Sequence, residues 1–471
     1  MNSRLRYLLK NTGILLISNF ASKILTFLLV PLYTYILSTE DVGIYDIVVS
    51  TVTLLFPIFT LNIADAVMRF LMDKKRQIHE VIIVGIRFIF ISFIASGIVV
   101  AIISIIHVFP SIDGLYLLIY FYFASYTFNQ FMIQYAKGIE QVMDLGISGA
   151  VGTLFVLVSN IVFLVILKAG IKGFFLANIL GQAVPAIYLF LRTKFWKEFN
   201  GCSRVNISLQ KEMLFYCVPL IATTIGWWIN SAFDRYVVIW MCGADANGLL
   251  SVAYKIPGII TIALNIFNQA WHISAIKEYG EEDTAIFYGK MFNMLNFCVS
   301  FLCSVLICIT PVLAKLLFSK EFYFAWKYVP FLLVSSVLTS ASAFFGPILS
   351  AKMETKIMAL STTCGAVVNV ILNIILIKWI GVQGATIATV ISNIIIYWIR
   401  RRAVKDDIRI EKSGSILMIW AFLILQGGIK IYFKTYIMDI IVLGVIIFGS
   451  LSEMRYCLAL VNNAIVRKRR R

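Results

Sequence analysis

Apolar runs of about 20 residues, each bounded by polar residues or by Gly/Pro breaks, recur fourteen times along the chain. They fall at 14–37, 42–70, 81–106, 115–136, 146–167, 173–191, 214–241, 248–276, 288–318, 329–350, 357–377, 384–399, 416–432 and 436–454. Each is long enough to cross the hydrocarbon core of a bilayer as a helix, in which every backbone polar group is satisfied internally. Polar residues interrupt these runs at helical spacing. Thr223, Trp227, Asn230 and Asp234 share one face, as do Asn19, Ser22, Lys23 and Thr26. Asp46, Ser50, Thr53 and Pro57 line another, and Thr261, Asn265, Asn268 and His272 a fourth; Thr362, Asn369 and Asn373 lie near one face of a fifth helix. In lipid such a stripe faces protein or a water-filled cavity. One stripe alone reads as interhelical hydrogen bonding; several in one chain favour a hydrated cavity fit for sugar hydroxyls.

Composition sets the class. Of 471 residues 60% are hydrophobic and 14% charged, against roughly a quarter charged in a soluble protein, which leaves no room for a sizeable water-exposed domain. The expectation is an all-α polytopic membrane protein of about 14 transmembrane helices. The segment MNSRLRYLLKN leads into an apolar run too long for the core of a signal peptide, so the first helix is expected to act as its own uncleaved insertion signal. The eight cysteines are scattered singly and the three histidines are far apart, a pattern of small buried side chains rather than disulfides or metal ligands.

The formal net charge of +17 is divided among short loops and offers no basic face for nucleic acid. Loops on the side of the N-terminus carry about 28 Lys and Arg, and the opposite loops about eight. Both termini are therefore expected in the cytoplasm, with the basic loops against anionic lipid headgroups. The polar stretch 192–213 divides the first twelve helices six and six. The expected lobes are 1–195 and 214–402, joined by a cytoplasmic linker at 196–213 and followed by two further helices and a basic tail at 403–471.

Five cations fall inside helices. Lys23 lies roughly 20 Å from either end of its helix, too deep to reach the headgroups; it either lines an interior or pairs with a carboxylate such as Asp46 or Asp65. Arg69 can pair with Asp65 one turn away, and Arg87 either reaches headgroups or assists a ligand. Arg235 and Lys255 enter adjacent helices to similar depth from the same side, an arrangement that suits a phosphate or pyrophosphate if it is not outer-end snorkelling. Asp234 would position these groups or take part in ion coupling. Trp227, Trp228 and Trp271 are either sugar-stacking rings or interfacial anchors. There is no P-loop and no HExxH or GxSxG motif, so neither ATP hydrolysis nor enzyme chemistry has a constellation to stand on, and no cofactor is expected beyond coupling to H+ or Na+.

The stretch VPLIATTIGWWINSAFDRYVVIWMCGADANGLLSVAYKIPGI resembles the start of the second half of the polysaccharide-biosynthesis flippases, the Wzx-type family. The resemblance rests on Pro219, Asp234–Arg235–Tyr236, Gly243, Asn247–Gly248, Ala253–Tyr254–Lys255 and Pro257. Pro31, Tyr33, Leu37, Gly43 and Tyr45 resemble the family's opening helix pair. Ala351–Lys352, Asn369, Asn373, Gly381, Gly384–Ala385 and Ala388–Thr389 extend the match, with Gln269–Ala270–Trp271. The resemblance implies the fold of the multidrug/oligosaccharidyl-lipid/polysaccharide (MOP) exporter superfamily, two six-helix lobes around a central cationic cavity. It implies an oligosaccharide repeat unit on undecaprenyl pyrophosphate, moved across the bacterial cytoplasmic membrane by alternating access. Arg235, Lys255, Lys23 and Arg87 would then meet phosphate. A polysaccharide polymerase and a chain-length regulator are the expected protein partners. A drug antiporter of the same superfamily is the main alternative, and a glycan polymerase or ligase a remote one.

Overall fold

The computed structural model describes residues 27–73, 77–107, 110–199, 206–410, 413–433 and 436–450. The described residues form helices and turns, with no strand among them. They divide into two compact units, Met1–Ala232 and Phe233–Arg471, and the boundary falls inside one long helix.

In the first unit, α1 spans Val30–Ile36, α2 Thr39–Phe59 and α3 Ile63–Leu71. Helix α2 starts where Ser38 accepts from the Asp41 backbone at 3.0 Å and the Asp41 carboxylate accepts from the Ser38 backbone at 3.1 Å, which satisfies two otherwise unpaired N–H groups. The run 42–70, expected as a single helix, is two. The chain breaks at Thr60–Asn62, where Leu61 (φ +50°) and Asn62 (φ +55°) adopt the left-handed conformation. Asn tolerates that region, whereas a Leu there costs on the order of 1 kcal/mol, a strain that surrounding packing has to hold.

Helix α4 (Ile78–Ile106) turns Phe90, Ile94, Ile98, Ile102 and Ile105 outward, an apolar stripe suited to lipid. Helices α5 (Tyr116–Gly138), α6 (Val142–Asn160, prolonged by a π-helical turn to Ile166) and α7 (Gly170–Arg192) complete the unit's packing. Helices α6 and α7 cross closely at Gly152 and Gly181, where a Cβ on Gly181 would lie 2.1 Å from Val156.

Helix α8 (Ile207–Cys242) begins in this same unit. Leu209, Met213 and Cys217 are buried with Ile63, Val67, Phe131 and Tyr135 in one core. Residues 207–232 of α8 thus belong to the first unit.

In the second unit α9 (Ala244–Ala253) and α10 (Gly258–Lys277) form a broken pair, bent by 45° at the turn before Pro257. Helices α11 (Thr284–Leu317), α12 (Val329–Ala351), α13 (Thr355–Ile380), α14 (Val382–Ala403), α15 (Ser413–Phe433) and α16 (Ile437–Gly449) follow. Most side chains of α12 are buried, and α10, α11, α14 and α15 pack around it. Arg400, one residue beyond the expected span 384–399, lies in the last turn of α14 and is buried. Its guanidinium donates to the Ser361 hydroxyl (2.9 Å), the Thr362 hydroxyl (3.0 Å) and the Ser342 carbonyl (3.1 Å). Three neutral acceptors thus join α12, α13 and α14 at one end.

Among the described residues ten helices are long and apolar enough to span a membrane, eleven with the bent pair. Helix α5 has the length, but its polar residues keep it out of that set, and α16 is shorter. Most of the expected first helix, 14–37, lies outside the described residues. The chain is a multi-pass membrane protein.

Candidate functional site

The break between α2 and α3 opens onto a cavity of about 400 Å³ within the first unit. Thr53 and Phe56 of α2, Asn62 of the break and Asp65 of α3 form one side. Helix α5 contributes Tyr126, Gln130 and Gln134, which share a face at spacings of four; α8 contributes Thr224, Trp227, Trp228 and Ser231. The Trp228 indole N–H donates to the Ser50 carbonyl at 2.9 Å and anchors α8 on α2. Trp227 remains 59% exposed, so its ring is open to a ligand.

Asp65 is the cavity's charged group. One carboxylate oxygen accepts from the Asn62 amide at 2.7 Å and the other from the Gln134 amide. The ion pair with Arg69 suggested by one-turn spacing does not form: Arg69 is exposed, and the neighbouring amides take the carboxylate instead. A carboxylate only accepts, so Gln134 must turn its NH2 toward Asp65, and its carbonyl Oε1 accepts no hydrogen bond from the described residues. The cavity combines hydroxyls, amides, one carboxylate and an open indole. That chemistry suits a polyhydroxylated ligand with an apolar ring face.

The second unit holds the motif around Asp234. Its buried carboxylate accepts from the Tyr254 hydroxyl at 2.5 Å and from the Arg235 backbone at 2.9 Å. The Arg235 guanidinium lies over the Tyr254 ring at 5.6 Å. Tyr254 and Lys255 occupy the turn between α9 and α10, so Tyr254 joins α8 to the bend, a role that spacing along α8 does not reveal. On α10, Thr261, Asn265 and His272 are exposed and Asn268 is half-buried, while Ile260, Leu264, Trp271 and Ala275 pack inward.

The other expected residues scatter. Asp46 and Asn230 are half-buried on α2 and α8. Lys23 and Asn19 lie outside the described residues. Arg87 is exposed on α4 and donates to the Gln210 side chain at 2.9 Å, away from the Asp65 cavity. Trp271 is not a sugar platform. It is only 3% exposed, stacks on Phe344 with centroids 4.2 Å apart and donates its indole N–H to the Phe344 carbonyl at 2.8 Å. Its position inside α12's packing shell takes both ring faces out of reach. The amides of Gln130 and Gln134 lie outside the polar stripes read from the sequence; the recurrence Tyr126, Gln130, Gln134 within an aromatic run is the signal that marks them.

Residues 8–273 match the family described as polysaccharide biosynthesis protein. The chain belongs to that family. A probable low-salt glycan biosynthesis flippase of Haloferax volcanii, Agl15, is 25% identical over 232 residues, which cover 47% of this chain. The match takes in about half, 49%, of that relative's length. Among solved structures, the lipid II flippase MurJ in an inward closed conformation aligns with a TM-score of 0.64 at 14% identity, over 94% of this chain and 98% of that one. An inward-facing MATE-family multidrug resistance transporter of the MOP superfamily aligns with a TM-score of 0.58 at 17% identity, over 78% and 94%. The chain therefore shares the fold of these two structures, the fold that the resemblance in its motifs implies.

Proposed function

We propose that this protein is a flippase for lipid-linked oligosaccharide, carrying a repeat unit on undecaprenyl pyrophosphate from the cytoplasmic to the outer leaflet of the cytoplasmic membrane. The observation that carries the reading is the polar cavity of the first unit, with Trp227 open beside Asp65, Gln130 and Gln134 in a chain of membrane-spanning helices. A sugar presents hydroxyls to amides and a C–H face to indole, and burying both inside a membrane protein serves glycan passage. Membership of the polysaccharide biosynthesis family supports the same substrate class.

In this reading Arg235 and Lys255 meet the pyrophosphate while the lipid tail stays in the bilayer. Arg87, exposed beside Gln210, is read as a headgroup-side cation. Asp234, held by Tyr254, positions Arg235 and is the carboxylate through which H+ or Na+ coupling would act. Both termini lie in the cytoplasm by the charge bias of the loops. A polymerase and a chain-length regulator would take up the flipped unit.

The test is transfer of a fluorescent undecaprenyl-pyrophosphate oligosaccharide across proteoliposomes, wild type against Arg235→Ala. The reading requires transfer by the wild type and its loss in a variant that still folds and inserts. Normal transfer by Arg235→Ala would remove the pyrophosphate role. The MATE-like fold favours drug antiport as the second reading, and gradient-driven dye efflux without glycan transfer would select it.

A further inference from the structure

The polar atoms of the first unit's cavity are unevenly distributed, and the imbalance bears on which sugars enter. Asp65 and Gln134 meet at its wall, and there the free capacity is for acceptance. Each Asp65 oxygen accepts one amide hydrogen bond, from Asn62 or from Gln134, and a carboxylate offers about four lone-pair sites. Gln134 gives one of its two amide N–H bonds to Asp65, and its buried Oε1 is a second acceptor with no donor from the described residues. No lysine or arginine is among the described residues that line the cavity. A ligand group that donates hydrogen bonds gains most at this corner, and a negative charge there would meet Asp65 in a low-dielectric setting.

We propose that this cavity is a sugar subsite that selects hydroxyl- or amine-bearing sugars and rejects uronic acids, an inference that rests on the glycan-flippase reading. Trp227 supplies the ring platform, and Ser231 and Gln130 supply neutral hydrogen bonds at the other walls. Asp65 and Gln134 supply discrimination. A protonated amine gains a hydrogen-bonded ion pair with Asp65, a hydroxyl gains a hydrogen bond to the carboxylate without the opposite charge, and an acid gains neither and is repelled.

Three disaccharides of one linkage test this: cellobiose, its 2,2′-diamino analogue and its uronic acid analogue, titrated calorimetrically into the purified full-length protein at neutral pH. The expected order of affinity is diamino, then neutral, then uronic, with the acid bound about tenfold or more weakly than cellobiose. Asp65→Asn should bring the three affinities together, and Trp227→Ala should weaken all three alike. Equal binding of the acid by the wild type overturns the proposal, as does absence of binding. An order unchanged in Asp65→Asn, or affinities unchanged in Trp227→Ala, overturns it as well. Should Asp65→Asn fail to fold, the wild-type order together with Trp227→Ala decides. The flippase reading fails separately, if lipid-linked oligosaccharide does not move in proteoliposomes while the disaccharide order holds.

Discussion

Lys430 of α15 and Asp439 of α16 form an ion pair of 2.6 Å in which each side chain is only 2% exposed. Gln426 donates to the other Asp439 oxygen at 2.8 Å and to the Ser304 carbonyl of α11 at 3.2 Å; the Lys430 ammonium also sits 3.8 Å from the Tyr436 ring centre. Two charges removed from water this fully are stable only as a pair with their remaining hydrogen bonds satisfied. The cluster fastens the last two helices to each other and to α11.

Removing one partner strands the other. Lys430→Met is expected to destabilise the protein by about 3–5 kcal/mol, whereas Lys430→Met combined with Asp439→Leu should recover most of that loss. Thermal unfolding in detergent, followed by fluorescence, measures both. A double variant as unstable as the single one would show that packing, not charge pairing, sets the cost.

Trp271 and Trp227 separate stability from transport. Trp271→Ala is expected to cost about 3–5 kcal/mol by opening a cavity against Phe344, and Trp271→Phe only about 1 kcal/mol for the lost indole bond. Transfer per folded molecule should be unchanged in Trp271→Phe. Flipping assays normalised to folded protein check this; loss of transfer in well-folded Trp271→Phe would return Trp271 to the substrate path.

The loop after α12 has a pH dependence whose sign follows from its charges. The Asp407 carboxylate, hydrogen-bonded to Lys352 at 3.1 Å, with Glu354 at 3.4 Å, raises the lysine above its ordinary value of 10.5. A raised lysine contributes stability that is complete below the unfolded value and lost as pH climbs through the folded one. The advantage of wild type over Lys352→Gln, no more than about 1 kcal/mol for a pair this near water, should be full at about pH 9 and shrink above 10.5. Unfolding midpoints of the two proteins across that range measure it. An advantage that grows with pH would contradict the assignment.

The helical membrane class and most of the spans were legible in the sequence, because a run of about 20 apolar residues is a local pattern with one stable solution in lipid. The Asp234–Arg235 and Tyr254–Lys255 motifs were legible for the same reason, as polar groups in helices that otherwise exclude them. What only the tertiary structure decided is which polar groups meet. Asp65 and Gln134 lie 69 positions apart, and no periodicity pairs them. The Thr60–Asn62 break sets two residues at positive φ, one of them a Leu, which no local propensity announces. Trp271 and Trp227 look alike along the chain, yet one is locked under Phe344 and the other stands open on a cavity. The sequence by itself determined what must leave water, since burial of apolar surface is written residue by residue; only the packed helices decided which buried groups find a partner and which are left facing a ligand.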